Sequence, residues 1–251
     1  MPPDSYSVHP RSQVHRRSNR ASYDAGAVHS IVNQAPILHV SFLPSDYPND
    51  PFPATLPMIG EMGSFKHPDS NHDPQHLDLY IHGHVSSRLL KLPENHEAGL
   101  PVCVVASILD GIVLALTPFN NSCNYRSAIL HGHAEIVTDE HERLFAMKLI
   151  TNGLVPGRWE NSRTPPTKTE LNQTQIVRIK VESASVKVRT GGPVDDRRDL
   201  KDASVVGTYW TGVLPISQRV GEPQASELNK VAGVPNYLQE WRNHQNTLST
   251  T

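Results

Sequence analysis

Hydrophobic residues gather into short runs separated by polar, proline-rich stretches, and most runs have the two-residue period of strands. Ile37-Leu38-His39-Val40-Ser41-Phe42-Leu43 reads as a buried strand. Leu77 to His84 sets Leu77, Leu79 and Ile81 on one face and Asp78, Tyr80 and His82 on the other. Pro101 to Ile108 is strongly apolar, and Asp110-Gly111 predicts a hairpin turn into a returning strand at Ile112 to Leu116. Gln175 to Val188 is a long strand, and Tyr209 to Ile216 a short last one. Phe52 to Ile59 carries Pro53 and Pro57, which cannot donate to a ladder, so it is an edge strand or faces a ligand.

Helical spacing appears in fewer places. Val28, Ile31, Val32 and Ala35 predict a helix from Asp24 to Gln34, capped by Ser22 or Asp24 and ended by Pro36. Leu144, Met147, Ile150 and Leu154 give a stripe to a helix from Thr138 to Gly153. Val85 to Leu92 and Thr169 to Asn172 read as short helical segments, and the end of the chain as a pair of short helices. Residues 60–76 and 190–204 read as loops, and residues 1–20 as a disordered basic, proline-rich tail. About seven or eight hairpin-linked strands with a few helices predict a mainly β (α+β) antiparallel barrel with peripheral helices.

The chain is organised around Asn120 to Val137 (NNSCNYRSAILHGHAEIV). A polar loop enters a strand at Tyr125, and Arg126 and Ser127 offer a guanidinium fork and a hydroxyl suited to an oxyanion. Gly132 within that strand predicts a bulge or a close approach by a backbone or ligand. Ser86, Ser87, Arg88 and Lys91 form a second anion candidate, at an expected helix start. His82-Gly-His84 and His131-Gly-His133 each place two imidazoles on one strand face, but no carboxylate or cysteine partners stand at metal-ligand spacing.

Composition narrows the options. A net charge of -2 and a pI near 6.7 leave no electrostatic footprint for nucleic acid. No apolar run reaches the roughly 18 residues of a membrane helix. Cys103 and Cys123, the two cysteines, form no CxxC pair, which fits a reducing, cytoplasmic setting. Cys103 reads as core and Cys123 as a bystander in a polar loop.

Taken together, Leu79–Leu92 (LYIHGHVSSRLLKL), Pro101–Val137, VPGRW, RTPPTKTEL, SASVKVRTGGPVDD and WTGVLPI resemble, in that order, the pyridoxamine 5'-phosphate oxidase-like FMN-binding split barrels, in their nitroimidazole-resistance (Nim-type) branch. The resemblance spans roughly residues 16–216. It implies a six-stranded antiparallel split β-barrel, placed at residues 21–216; residues 217–251 lie largely outside the resemblance and read from their own pattern as a helical extension docked on the barrel. It also implies a homodimer with FMN at the subunit interface and a small-molecule substrate. Carried over by position, His82, Ser87 and Arg88 hold the FMN phosphate from one side. Tyr125, Arg126 and Ser127 hold phosphate or ribityl oxygens from the other, and Thr55 to Pro57 lie along the isoalloxazine edge. Lys187, Arg189 and Trp210 fall near the pocket. The turn His84-Val85-Ser86 is bulkier than the family pattern, and Cys123 replaces a thioether or aliphatic residue. The resemblance also allows haem, with His82 as its ligand. Two functions follow: an FMN-dependent oxidoreductase acting by hydride transfer on a small planar or nitro-/carbonyl-bearing molecule, or a haem- or flavin-binding protein without turnover of its own. The flavin carries the redox chemistry, so no nucleophile–base pair is required.

Overall fold

A computed structural model describes residues 4–44, 50–68, 77–91 and 98–248. The strands are β1 (Ala21–Ser22), β2 (Leu38–Phe42), β3 (Ala54–Met58), β4 (Gly60–Gly63), β5 (Asp78–His84), β6 (Leu100–Leu114), β7 (Ser122–Ile136), β8 (Thr174–Arg189) and β9 (Gly212–Pro215). The helices are α1 (Ala25–Gln34), α2 (Glu140–Leu154), α3 (Lys168–Gln173), α4 (Arg197–Leu200), α5 (Ala203–Thr208) and α6 (Asn236–Leu248). The fold is thus mainly antiparallel β with a few helices. One sheet runs β3-β2-β6-β7-β8-β5-β4, with β1 added to β8 and β9 to β6. Among the described residues the sheet has nine strands, its pairing does not close into a ring, and the six-stranded pattern implied by the resemblance is not reproduced.

The chain forms two compact units. The first holds residues 1–108, 126–154 and 158–188. Its core is the inner faces of the strands: Leu38, Val40 and Phe42 of β2, Leu79 and Ile81 of β5, Val102 and Val104 of β6, Ala128 and Leu130 of β7, and Val177 and Ile179 of β8. Helix α1 adds Val28, Ile31 and Val32. Asp24 caps α1 by accepting from the Ala27 N–H at 2.7 Å, as its position before the apolar stripe predicts. Each large side chain buried here contributes about 1.5–3 kcal/mol over leaving it in water. β3 is an edge strand, so Pro53 and Pro57 leave no ladder partner wanting.

Several expectations are corrected. Strand β4 lies inside the stretch read as a loop, pairing Glu61 with Tyr80 and Met62 with Leu79, while residues 69–76 lie outside the described residues. Val85 to Leu92 is not an α-helix; it is a turn followed by a 3-10 turn at Arg88–Leu90, and Leu92 lies outside the described residues. On α2 the buried face is Glu142, Ala146 and Ile150, with Leu154 exposed. A polar anchor displaces the apolar stripe: the Tyr80 hydroxyl donates to Glu142 Oε1 at 2.8 Å, and Arg178 Nη1 donates to the same oxygen at 2.8 Å. Arg178 Nη2 reaches Glu135 at 3.0 Å, and Lys180 reaches it at 2.8 Å. The segment read as a tail makes specific contacts from Asp4 on. The Tyr6 N–H donates to the Tyr23 carbonyl at 2.9 Å, the Tyr6 hydroxyl lies 2.7 Å from His29 Nε2, and Arg11 pairs with Glu182 at 3.3 Å.

Glu61 shares the Tyr80 side of the β4–β5 pair and is packed so closely under α2 that a Cβ on Gly153 would stand 2.3 Å from its Oε2. Burial pushes its carboxyl up to about 8. The unfolded chain ionises Glu61 near its ordinary pKa of 4.5 and the folded chain only near 8, so this group progressively destabilises the fold as pH rises between those values. Glu61→Gln should therefore change stability by less than about 1 kcal/mol at pH ~5 and stabilise by roughly 4 kcal/mol at pH ~8, read from urea unfolding at the two pH values.

The second unit holds residues 109–125, 155–157 and 189–251. Asp110-Gly111 makes no turn here; both residues lie inside β6. Gly111 pairs with Pro215 of β9, and a Cβ on it would meet Val213 Cγ1 at 3.0 Å and the Leu214 carbonyl at 3.1 Å, so the close approach of β9 accounts for the glycine. The charged loop contains α4 and α5, the latter capped by Asp202 accepting from the Ser204 N–H at 2.9 Å. The end of the chain is one helix, α6, rather than two. Its Asn246 side chain bonds both the N–H and the carbonyl of Val220, at 2.8 and 3.0 Å.

Candidate functional site

In the first unit, β5 ends at the residues of greatest interest. His82 lies on the Tyr80 face of β5, opposite Ile176 of β8. Its Nδ1 is shielded from solvent and has no hydrogen-bond partner, and burial pulls its pKa down, so the ring is neutral at neutral pH. A neutral imidazole with neither nitrogen engaged among the described residues is the form that ligates a metal. The chain then turns: the Ser87 N–H donates to the His84 carbonyl at 2.8 Å, and Leu90 N–H to Ser87 at 3.0 Å. His84 Nδ1 accepts from the Ser86 N–H at 3.2 Å and lies 2.8 Å from the Ser86 hydroxyl. His84 and Ser86 thus occupy each other. Ser87 and Arg88 stand at the start of the 3-10 turn. Strand β3 approaches from the side, its Met58 Cε 3.5 Å from where a Cβ on Gly83 would stand. Thr55 and Pro57 project from β3 on its exposed face, and Thr55 Oγ1 lies 2.9 Å from Ser41 Oγ.

Arg126 and Ser127 lie inside β7, not at its mouth, and neighbouring strand residues point to opposite faces. Arg126 Nη1 donates to Gln34 Oε1, at the end of α1, at 2.7 Å. Ser127 Oγ donates to the Lys187 carbonyl at 3.2 Å, and Lys187 Nζ to the Arg16 carbonyl at 3.0 Å. A single phosphate cannot face both side chains without a change in this strand. In the second unit, Arg189 is buried and donates to Asn124 Oδ1 and to the carbonyls of Gly191 and Gly192, at 3.3 and 3.1 Å for the carbonyls. It ties a loop to the strand before it. Trp210 is 64% exposed, and Tyr125 is half-buried.

Among the described residues no group of three His, Cys, Asp or Glu side chains is arranged to hold a metal ion. Both cysteines are free, and burial raises the Cys103 thiol pKa. No helix among the described residues is long and apolar enough to cross a membrane. Sequence reasoning missed the polar surroundings of His131 and His133. Glu182 lies 2.9 Å from His133 Nδ1 and also pairs with Arg11, which only a contact over 171 positions brings there. The repeated H-x-H was the one visible signal of this cluster.

The family model described as Pyridoxamine 5'-phosphate oxidase matches residues 24–188, and the chain belongs to that family. The flavocytochrome Anf3 from Azotobacter vinelandii is 30% identical over 93% of this chain and 97% of its own, with a TM-score of 0.75. The FAD and heme binding protein from Mycobacterium smegmatis is 24% identical over 89% of this chain and 97% of its own, with a TM-score of 0.72, which shows a shared fold. A 5-nitroimidazole antibiotic resistance protein from Bacteroides thetaiotaomicron is more distant, at 17% identity, coverage of 67% and 86%, and a TM-score of 0.49, and carries no weight for function. No curated protein matches the chain in a sequence search.

Proposed function

We propose that this protein binds a flavin and a haem, in the manner of a flavocytochrome, and acts as an oxidoreductase on a small molecule. The observation that carries this reading is His82: neutral, shielded at Nδ1, without a hydrogen-bond partner among the described residues, and next to the turn that carries Ser87 and Arg88. The similarity to a flavocytochrome over nearly the whole of both chains supports it. In this reading His82 would ligate haem iron. Ser87 and Arg88 would hold the flavin phosphate, and Thr55 and Pro57 would border the ring. The flavin is FMN, as the family pattern implies, or the larger FAD. Flavin supplies hydride and one-electron chemistry, and haem supplies one-electron and O₂ chemistry. The chain's own residues bind, orient and keep the site dry.

The same reading makes the sheet a split barrel and the protein a homodimer with its cofactors at the interface. Exposed apolar side chains in the second unit support a second copy: Phe119 is 91% exposed and Leu228 88%, with Tyr209, Trp210 and Leu214 also open. Two free cysteines fit a reducing, cytoplasmic compartment. The visible spectrum of the freshly purified protein is the test. Flavin bands and a Soret band together are expected; a colourless protein that takes up neither added flavin nor added haem overturns the reading. Arg88→Ala should weaken flavin retention by about tenfold or more, because a charge-assisted phosphate contact is lost. Arg126→Ala should weaken it less, since this reading assigns the phosphate to Ser87 and Arg88 and Arg126 lies inside β7. The two flavin dissociation constants check this order.

A further inference from the structure

Residues 4–16 lie as a strap on the first unit, ahead of its sheet. Hydrogen bonds tie down both ends. The Ala25 N–H donates to the Asp4 carbonyl at 2.8 Å, the Tyr6 N–H donates to the Tyr23 carbonyl at 2.9 Å, and Ser5 forms a β-bridge with Asp24. Further on, the Val14 N–H donates to the Tyr23 hydroxyl at 3.2 Å, and Lys187 Nζ donates to the Arg16 carbonyl at 3.0 Å. Arg11 pairs with Glu182 between these ends, but both side chains are open to water and the pair adds little. Most side chains of the strap are exposed; Tyr6 is the one aromatic ring that it packs against the core.

Tyr6 meets a buried histidine of α1. Its hydroxyl lies 2.7 Å from His29 Nε2, and the two rings stand edge to face with centroids 5.8 Å apart. His29 is 5% exposed, and its Nδ1 is shielded from solvent without a hydrogen-bond partner. The neutral ring carries one proton, and the Tyr6 hydroxyl can donate to Nε2 or accept from it. The protonated ring carries an N–H at both nitrogens, which leaves a charged donor at Nδ1 with neither acceptor nor water. Burial accordingly pulls the ring down to about 4, against the opposing effect of the Asp24 carboxylate, which caps α1. Asp78 of β5 is the charged group near Tyr6. Burial and that carboxylate push the phenol up, so it stays protonated and offers an imidazolium no phenolate partner.

We propose that Tyr6 and His29 form an acid-released latch: the strap stays docked while His29 is neutral and leaves the first unit when His29 is protonated. A released His29 is open to water and titrates near its ordinary 6.5, so the released form binds the proton more readily. Docking is strongest above pH ~6.5 and weakens by about tenfold per unit as the pH falls from there toward ~4. Release withdraws the Arg16 carbonyl from Lys187 and Arg11 from Glu182. Amide hydrogen exchange of the full-length protein at pH ~7.5 and ~5, corrected for intrinsic rates, reads the docking equilibrium as the protection of the strap. That protection should fall about thirtyfold at the lower pH, while the protection of α2 does not fall. His29→Gln keeps a hydrogen-bond partner for the Tyr6 hydroxyl and does not titrate, while the exposed His9 and His15 stay in place. Its strap should be equally protected at both pH values. Tyr6→Phe keeps the ring, removes the hydroxyl and should lower strap protection about tenfold at pH ~7.5. Should His29→Gln lose protection throughout the chain, the two pH values of the unaltered protein and Tyr6→Phe decide by themselves. Equal strap protection at both pH values in the unaltered protein, an equal fall in His29→Gln, a fall shared by α2, or unchanged protection in Tyr6→Phe overturns the proposal.

Discussion

His82→Ala is expected to abolish the Soret band of the purified protein while leaving flavin bands in place. The ring is the neutral imidazole of β5 with Nδ1 shielded and unpartnered, and burial holds its pKa down so that no proton competes with a metal near neutral pH. Alanine removes the ligand outright. Loss of mere outer partners of a metal ligand lowers affinity by about 10–100-fold, so haem occupancy should fall by at least that much. His84→Ala is the matched control. His84 lies two residues on in the same strand, but it is exposed and engaged by Ser86, so its removal should leave the band intact. A Soret band that survives in His82→Ala and disappears in another histidine variant would place the iron elsewhere. A fold lost along with the band would show up in the flavin bands, which the same spectrum records.

Gly132→Ala should destabilise the protein by about 3 kcal/mol or more, at the upper end of what overpacking produces. The added Cβ would stand 2.1 Å from the Lys180 carbonyl oxygen, 2.9 Å from its carbonyl carbon and 3.1 Å from the Val181 Cα. All three atoms are backbone of β8, so no side chain can rotate aside. Relief requires β7 to move off β8 in the middle of the sheet, and this disturbs Leu130, Ala134 and Ile179, which are fully buried. For a chain of this size the melting temperature should fall by roughly 6–12 °C. Gly192→Ala is the control, because a Cβ there meets nothing within 4 Å, and it should change stability little. Equal melting temperatures for both variants would mean that β7 and β8 can separate at Gly132 without loss.

Much of the local structure was legible because it depends on neighbours in sequence. The cap at Asp24, the stripe of α1, the alternation of β5 and the prolines of an edge strand each state a physical requirement within a few residues. Gly132 announced a close approach, and the approaching backbone is that of β8. Asp110-Gly111 misled because a turn dipeptide reports only local preference; pairing with β9 from a hundred positions away holds it extended. Leu154 misled in the same way, since the face of α2 that turns inward is chosen by the ion pair of Glu142 with Arg178 and by the Tyr80 hydroxyl.

The candidate site divides along the same line. The order of motifs along the chain was enough to determine the family and a mainly antiparallel β fold, because contiguous residues and their alternation carry both. Tertiary structure alone decided the partners of the charged groups. It committed Arg126 to Gln34 and buried Arg189 against Asn124. It also brought Arg11 across the chain to Glu182 beside His131 and His133, and raised the pKa of Glu61 by burying it under α2. Hydrogen-bond partners and burial are properties of atoms that meet across long stretches of chain, and no local pattern of residue types encodes them.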